Sequence, residues 1–143
     1  MSQTPSLRTV GLVALGITLG LGLAGYLRRA GATVDNGLLS QINAQAQAGT
    51  LQVNLDVTVL SRAAASRLYE VVWTVAHPAW LRQGDTLLRE IPAGESERFG
   101  VVESTPPFAP GDSLVVKLEL FSQALDGGGR ILDDATEFRV VAV

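Results

Sequence analysis

Apolar residues occupy every second position over several stretches of the chain after residue 50. Between residues 51 and 59 the odd positions are apolar and the even positions polar, which is typical of a strand with one face on a core and one in water. The same period predicts further strands at 69–75, 114–120 and 138–142, with shorter ones at 86–91 and 97–103. Turn-forming residues separate them, as in Pro110-Gly111-Asp112. The pattern predicts an antiparallel β-sandwich over residues 50–143.

An uninterrupted apolar run occupies the start of the chain. Residues 10–27 contain no charged side chain over 18 positions, and Arg28 and Arg29 follow directly. A helix of that length spans about 27 Å, close to the roughly 30 Å hydrocarbon core of a bilayer. We therefore expect a transmembrane helix, with Tyr26, Arg28 and Arg29 at the membrane interface. A cleaved secretory signal ending at residues 22–24 and a helix buried in protein are the alternatives.

Small residues recur at helical spacing within this run. They form two stripes with a period of four residues: Gly16, Gly20 and Ala24 in one, and Ala14, Thr18 and Gly22 in the other. Small residues four apart let two transmembrane helices approach closely, so the stripes predict packing against a second copy or a partner. Glycine is also frequent in membrane helices in general, and that alternative stays open.

A polar segment of small residues separates the two patterns. Residues 30–49 carry a weak helical pattern through Leu38, Leu39 and Ile42, which predicts a tether with one short helix at 37–47. The expected organisation is a membrane segment at 1–29, a tether at 30–49 and a β domain at 50–143. The predicted fold class is therefore mainly β, preceded by a transmembrane helix.

Composition and charge exclude several functions. The 143 residues carry a formal net charge of −3 and no cysteine, and His77 is the single histidine. A chain of this charge has no basic field for nucleic acid, and without cysteine it has no disulfides, thiolate metal sites or cysteine nucleophiles. We expect no cofactor, no metal and no nucleic-acid partner.

Some polar residues of the β domain are of the types found in catalytic or metal sites, but their sequence patterns favour a structural role. His77 precedes Pro78 at a predicted strand end, and no serine motif of the hydrolase type accompanies it. Asp133 and Asp134 are neighbours that would point to opposite faces of a strand, so a solvated hairpin is favoured over a calcium site. The triple glycine at 127–129 lacks the lysine of a phosphate loop. These observations predict a protein that is not an enzyme.

Two apolar segments are the best candidates for binding a partner. Trp80 and Leu81 follow Pro78 in a segment interpreted as a loop, and Phe108 lies in a second, proline-rich loop. An exposed tryptophan of this kind anchors a protein partner or stacks on a sugar ring. The alternative is a tryptophan that folds over the end of the sandwich.

The turn motifs of the β domain resemble those of immunoglobulin-like accessory modules. The motifs are Ile91-Pro-Ala-Gly-Glu-Ser and Pro107-Phe-Ala-Pro-Gly-Asp-Ser-Leu, each before a predicted strand, and Trp73 lies on another strand. The layout of anchor, tether and two-sheet domain is also similar to the late-embryogenesis type 2 group and to minor capsid proteins of membrane-containing phages. The resemblance implies an immunoglobulin-like β-sandwich, and it is architectural because fold does not determine function.

These expectations combine into one predicted function. The chain is expected to be a non-enzymatic, single-pass membrane protein that links a membrane to a protein assembly, as a minor capsid protein of a membrane-containing virus does. Its expected partners are membrane lipid and other protein subunits, including copies of itself, and its expected location is a virion membrane or a cell envelope. An accessory subunit of a membrane complex, an envelope appendage and a carbohydrate- or ligand-binding module are the alternatives.

Overall fold

Eight β-strands make up the part of the protein that the computed structural model describes, residues 36–143. In chain order they are β1 (Gly37–Gln47), β2 (Gln52–Ser61), β3 (Arg67–His77), β4 (Trp80–Asp85), β5 (Arg89–Ile91), β6 (Ser96–Ser104), β7 (Ser113–Ala124) and β8 (Ile131–Val141). They form two antiparallel sheets. One has the order β1-β2-β6, and the other has the order β4-β3-β7-β8 with β5 also paired to β3. The described residues contain no helix, and the mainly β class is confirmed.

The alternation of the sequence determines which side chains meet the core. Every second residue of β2 is buried, and β3 and β7 follow the same pattern over most of their length. The inward side chains fill the space between the sheets, and several are fully shielded from solvent, namely Val59, Tyr69, Val75, Leu114 and Leu120. The strands predicted at 51–59, 69–75, 97–103 and 114–120 are confirmed as β2, β3, β6 and β7.

The helix predicted at residues 37–47 is wrong, because this segment is strand β1. It pairs with β2 along its length, except for one irregularity between Ser40 and Asn43 that adds a residue to β1. Leu39 and Ile42 both pack on the core although they are three residues apart, since a bulge shifts the alternation by one position. A spacing of three is also found in helices, which explains the error. The sheets therefore include residues that the sequence assigned to the tether.

The edge of the five-stranded sheet also differs from the prediction. Only the end of the segment 86–91 is a strand, β5, and the unpredicted strand β4 precedes it along β3. Between β4 and β5, residues 86–88 form a short unpaired segment, and Leu87 is 88% exposed. Thr86 holds the start of this segment, because its backbone nitrogen donates to the Val71 carbonyl and its hydroxyl accepts from the Val71 nitrogen, both at 3.0 Å.

Strand β8 begins at Ile131, so the solvated hairpin predicted around Asp133 and Asp134 is wrong. The two aspartates are buried, with exposures of 3% and 1%. The pairing of β8 with β7 shifts register at this point, and a bulge releases neighbouring side chains from strict alternation. Asp134 Oδ2 accepts a hydrogen bond from the Leu39 nitrogen at 3.0 Å. The carboxylate therefore connects β8 of one sheet to β1 of the other.

One seam of the sandwich is closed by β1 and β8. The two strands run in the same direction, with Asp134 beside the start of β1 and Val143 beside its end. Val143 donates its backbone hydrogen bond to the Ala46 carbonyl at 2.9 Å and accepts one from the Ala48 nitrogen at 3.0 Å. This arrangement is a single parallel pairing, so β1 makes backbone contacts with both sheets.

The opposite seam is closed by a side chain rather than by backbone pairing. Arg89 of β5 donates from Nη1 to the Arg98 carbonyl of β6 at 2.8 Å. Its guanidinium carbon lies 4.3 Å from the centre of the Phe99 ring, a cation–π contact. Because Arg89 belongs to one sheet and Arg98 to the other, this arginine fastens the two sheets at the β5 end of the seam.

The sandwich has two poles with different contents. The Asn36 pole is where β1 begins, and it comprises residues 36, 62–66, 92–95 and 125–130. Here the Tyr69 hydroxyl donates to the Asn36 carbonyl at 2.7 Å and contacts Ser61 Oγ at 2.8 Å. The Trp80 pole is where β1 ends, and it comprises residues 47–52, 77–81, 105–112 and 140–143. The N-terminal segment of the chain therefore enters the sandwich at the Asn36 pole.

Gly84 is required by the close approach of the Trp73 ring. A Cβ at this position would lie 2.5 Å from Cζ2 of Trp73, so we expect Gly84→Ala to lower the free energy of unfolding by about 1–3 kcal/mol, the range for overpacking. Urea denaturation measures the effect. Gly100→Ala is the matched control, because a Cβ there meets nothing within 4 Å. Equal stabilities of the two variants would contradict this account.

Removal of the Asp134 carboxylate tests the first seam. Asp134→Ala deprives the buried Leu39 nitrogen of the acceptor that lies 3.0 Å away. We expect a loss of about 1–3 kcal/mol in the free energy of unfolding, the cost of a lost hydrogen bond in a buried position. The same measurement on Asp126→Ala, at an exposed position of the Asn36 pole, should show little change. A comparable loss in both variants would refute the role of Asp134.

Candidate partner-binding site

The β3–β4 hairpin positions two of the three candidate residues. His77 and Trp80 are its last paired residues, so Pro78 and Ala79 form the turn. Proline suits the first central position of such a turn because its φ is fixed. The Ala79 nitrogen donates to Nδ1 of His77 at 3.1 Å, so the histidine side chain holds the turn. Trp80 therefore begins an edge strand, and the interpretation of this segment as a loop is wrong.

Trp80 closes the Trp80 pole rather than projecting from it. Its ring stacks on His77, with centroids 5.2 Å apart and planes at 12°, and it lies tilted against Phe108 with centroids 6.1 Å apart. Its indole nitrogen donates to the Pro107 carbonyl at 3.1 Å. The structure thus has the alternative arrangement, a half-buried tryptophan folded over the end of the sandwich. Trp80 and Phe108 come together, as candidates for one site would.

Leu81 does not join the other two candidates. Consecutive strand residues point to opposite faces of a sheet, and Leu81 pairs with Ala76 on the outer face of the five-stranded sheet. Its side chain is 62% exposed. Leu81 therefore faces solvent on the outer side of the sheet, whereas Trp80 and Phe108 pack together on the inner side of the Trp80 pole.

His77 connects the hairpin to the loop between β6 and β7. Its Nε2 lies 2.9 Å from Oδ2 of Asp112, and its Nδ1 accepts from the Ala79 nitrogen. Because Nδ1 is an acceptor here, the proton of the ring is on Nε2 and points to the carboxylate. A hydrogen bond from the Ala109 nitrogen, followed by the bond from His77, lowers the pKa of Asp112 below its ordinary value of 3.8. Both ring nitrogens of His77 are thus engaged in holding the pole together.

The β6–β7 loop is built as a fixed structure. Ala109, Pro110, Gly111 and Asp112 form a β-turn, in which the Asp112 nitrogen donates to the Ala109 carbonyl at 3.0 Å. Gly111 has a φ of +91°, and with proline before it this is the signature of a type II turn. Gly111 also donates to the Ala142 carbonyl at 2.9 Å. The loop is therefore tied to β8 at its end and to Trp80 through Pro107.

The two poles differ in charge. The Trp80 pole contains one acidic residue and one histidine, Asp112 and His77, which contact each other, and the Asp112 side chain is 35% exposed. The Asn36 pole contains four charged residues, Arg62, Glu95, Asp126 and Arg130. Exposed residues of the Trp80 pole include Pro78, Pro107 and Pro110, and Val143 is 69% exposed. The exposed residues of the Trp80 pole are therefore mainly apolar, and Asp112 is its partly exposed charged group.

Other predicted site residues lie outside the described part of the chain. These are the small residues of the apolar run, Ala14, Gly16, Thr18, Gly20, Gly22 and Ala24, and the interface residues Tyr26, Arg28 and Arg29. Residues 36–143 contain no helix long and apolar enough to cross a bilayer. Within the same residues, no three acidic or histidine side chains lie close enough to hold a metal ion.

Sequence reasoning missed the contact between His77 and Asp112. The residues are 35 positions apart, and their contact depends on the pole bringing the β3–β4 turn beside the β6–β7 loop. The available signal was local: His77 stands before Pro78, and Asp112 ends a Pro-Gly-Asp turn. Aspartate is a residue that closes turns with its side chain, whereas the histidine gave no such signal.

Comparisons with known proteins concern the fold. No family model matches the chain, and no curated protein matches its sequence. A solved chain described as the X-ray structure of Northeast Structural Genomics Consortium target SoR45 is similar, with a TM-score of 0.51 and 12% sequence identity. The match covers 77% of this chain and 90% of that one. At this identity the two proteins share an architecture, and the likeness carries no function.

The lowered pKa of Asp112 predicts an acid-dependent stability. As the pH falls, the unfolded chain takes up the proton at the ordinary value of 3.8, before the folded protein does. The stabilisation is therefore complete above that value and disappears as the pH falls through the lower, folded pKa. We expect the free energy of unfolding, measured with urea between about pH 5 and pH 2, to fall less steeply in Asp112→Asn than in the native protein.

The matched control for this experiment is Asp126→Asn, at an exposed position of the other pole. Its stability should fall with pH as steeply as that of the native protein. If Asp112→Asn and the native protein lose stability in parallel, the contacts of Asp112 with Ala109 and His77 do not govern its titration.

Proposed function

We propose that the chain is a non-enzymatic, single-pass membrane protein that links a membrane to a protein assembly. The difference between the two ends of the sandwich supports this proposal most directly. The apolar run of 18 residues precedes the Asn36 pole in the chain, and the Trp80 pole, whose exposed residues are mainly apolar, lies at the opposite end. Between the poles β1 extends over 11 residues, about 36 Å at the rise of a strand. One end thus suits anchorage and the other suits protein contact.

The proposed anchor is a transmembrane helix formed by residues 10–27. Arg28, Arg29 and Tyr26 then lie at the headgroup level. The small-residue stripes of the run, which include Gly16 and Gly20, pack this helix against a second copy or a partner helix. The proposed location is accordingly a virion membrane or a cell envelope.

The proposed head is an immunoglobulin-like sandwich that binds protein subunits. A minor capsid or membrane protein of a membrane-containing virus is the leading setting, and an accessory subunit of a membrane complex performs the same linkage. A sugar-binding role for Trp80 receives less support. His77 is stacked on its ring, Phe108 lies tilted against it, and its indole nitrogen is bonded to the Pro107 carbonyl, so part of the ring is already occupied.

Carbonate extraction tests the anchor. We expect the full chain to stay in the membrane pellet at alkaline pH, and the double variant Leu15→Arg/Leu19→Arg to be released. An arginine at the centre of a helix costs about 2.5–3.5 kcal/mol for insertion, so two of them should prevent stable spanning. Leu7→Arg makes the same change outside the apolar run and should remain in the pellet. Release of the native chain, or a mature form that begins after residue 24, would refute the anchor.

A further inference from the structure

We propose that the protonation of Glu70 controls the segment 86–88 between β4 and β5, through the contact of Glu70 with Asp85. In the closed form the two carboxyl groups share a proton and Thr86 is bonded to Val71. Loss of the proton leaves two like charges in contact, and the segment loosens. The proposal goes beyond the proposed function and does not depend on it, because every group involved belongs to the sandwich.

Glu70 and Asp85 lie on the same face of the five-stranded sheet. Asp85 pairs with Val72 of β3, and residues two apart along a strand point to the same side. Glu70 and Asp85 are therefore diagonal neighbours on the outer face. Their carboxyl groups are in hydrogen-bonding contact. Such a bond requires a proton, because ionised carboxylates only accept hydrogen bonds.

Glu70 is the fixed member of this pair. Its side chain is only 13% exposed, and its Oε1 lies 3.1 Å from Nε of Arg130. The guanidinium carbon of Arg130 in turn lies 3.8 Å from the centre of the Phe121 ring, and Phe121 pairs with Glu70 across β3 and β7. Glu70 is thus held from the β7 side by a cation that is itself packed on an aromatic ring.

Asp85 is the member of the pair that can move. It is exposed and is the last residue of β4. The next residues, 86–88, belong to no strand. Thr86 attaches this segment to β3 through its two hydrogen bonds with Val71. Repulsion between Glu70 and Asp85 is therefore relieved by a displacement of Asp85, which pulls on these two bonds.

The other charged groups around Glu70 do not take the place of Asp85. Glu119 of β7 and Glu90 of β5 lie on the same outer face, each diagonal to Glu70 in the register. Glu119 is 3.7 Å from Lys117, so its charge has a partner of its own. Glu90 is exposed to solvent, which screens its charge. Asp85 is the acidic group in contact with Glu70.

The surroundings raise the pKa of Glu70 above its ordinary value of 4.5. Burial is the largest cause, Arg130 opposes it, and the charge and hydrogen bond of Asp85 add to it. An open form, from which Asp85 has moved away, lacks the contribution of Asp85, so the closed form takes up its proton at a higher pH than the open form. The preference for the closed form is complete at acid pH and is lost as the pH rises through the pKa of Glu70 in that form.

The segment 86–88 also leads into the second seam of the sandwich. The next residue, Arg89, donates to the Arg98 carbonyl of β6 and lies over the Phe99 ring. A loosened segment gives Arg89 more freedom and weakens this attachment. The seam between β5 and β6 should therefore open more readily at neutral pH than at acid pH.

Hydrogen exchange of the Thr86 amide tests the proposal in the full chain, held in a mild detergent. This amide donates to the Val71 carbonyl, so its protection reports the closed segment. After correction for the intrinsic effect of pH on exchange, we expect its protection to fall between about pH 5 and pH 8. The expected fall is about three- to tenfold, which corresponds to a difference of about 0.5–1 between the pKa values of the two forms.

The internal control is the Thr105 amide, which donates to the Leu51 carbonyl at the Trp80 pole. Its protection should not follow the same change. A fall that both amides share would show a loss of overall stability rather than a movement of the segment 86–88, and would overturn the proposal.

Two substitutions separate the carboxyl pair from a general effect of acid. Asp85→Asn removes one charge but keeps a hydrogen bond, because the amide donates to Glu70. The Thr86 protection in this variant should stay at its acid value at both pH values. Glu119→Gln changes the neighbouring acid of the same face and should retain the full dependence on pH.

A third variant covers a loss of structure in Asp85→Asn, which thermal unfolding at pH 8 would reveal. Asp85→Ser removes the same charge with a smaller side chain at this exposed position, and its Thr86 protection should also not depend on pH. The proposal is overturned if the Thr86 protection of the native chain does not fall with rising pH, or if the fall persists in a folded variant without the Asp85 carboxyl group.

Discussion

The position of β1 between the two sheets is the constraint on which the rest of the structure depends. Along its length β1 pairs with β2, while Asp134 of β8 and Val143, two residues beyond β8, attach its two ends to the other sheet. A strand held on both sides cannot slide without breaking both sets of contacts. Its direction therefore fixes where the N-terminal segment enters and which pole lies farthest from that entry.

A few residues of the Trp80 pole determine the surface at this end of the sandwich. The inward side of the pole contains the groups that need partners, the indole of Trp80, the ring of His77 and the carboxylate of Asp112, and each has one. The outward side retains proline rings and aliphatic side chains. These polar groups are thus satisfied within the pole, and apart from the partly exposed Asp112 its outer surface is mainly apolar.

The sequence predicts the fold where alternation is unbroken and fails where a bulge interrupts it. β2, β3 and β7 keep a period of two throughout the core, and their prediction needed only local pattern. The bulge in β1 places Leu39 and Ile42 on the same side, and the one in β8 buries Asp133 and Asp134 together. Neither departure is visible locally, because both depend on which strand lies alongside.

The candidate site was predicted in its members but not in its arrangement. Trp80 and Phe108 were recognisable as apolar residues in proline-rich surroundings, and they do lie together. The inward position of Trp80 and the outward position of Leu81 follow from the alternation of strand β4. This strand was not predicted, because Pro78 and its neighbours indicated a loop.

The parallel run of β1 from one pole to the other has a mechanical consequence. In a protein held by its N-terminal segment and pulled at the far pole, tension acts along the axis of this strand. Its backbone hydrogen bonds to β2 lie across that axis, so the load is shared among them as shear rather than breaking them one after another. Such a geometry resists extension better than a strand peeled from its end.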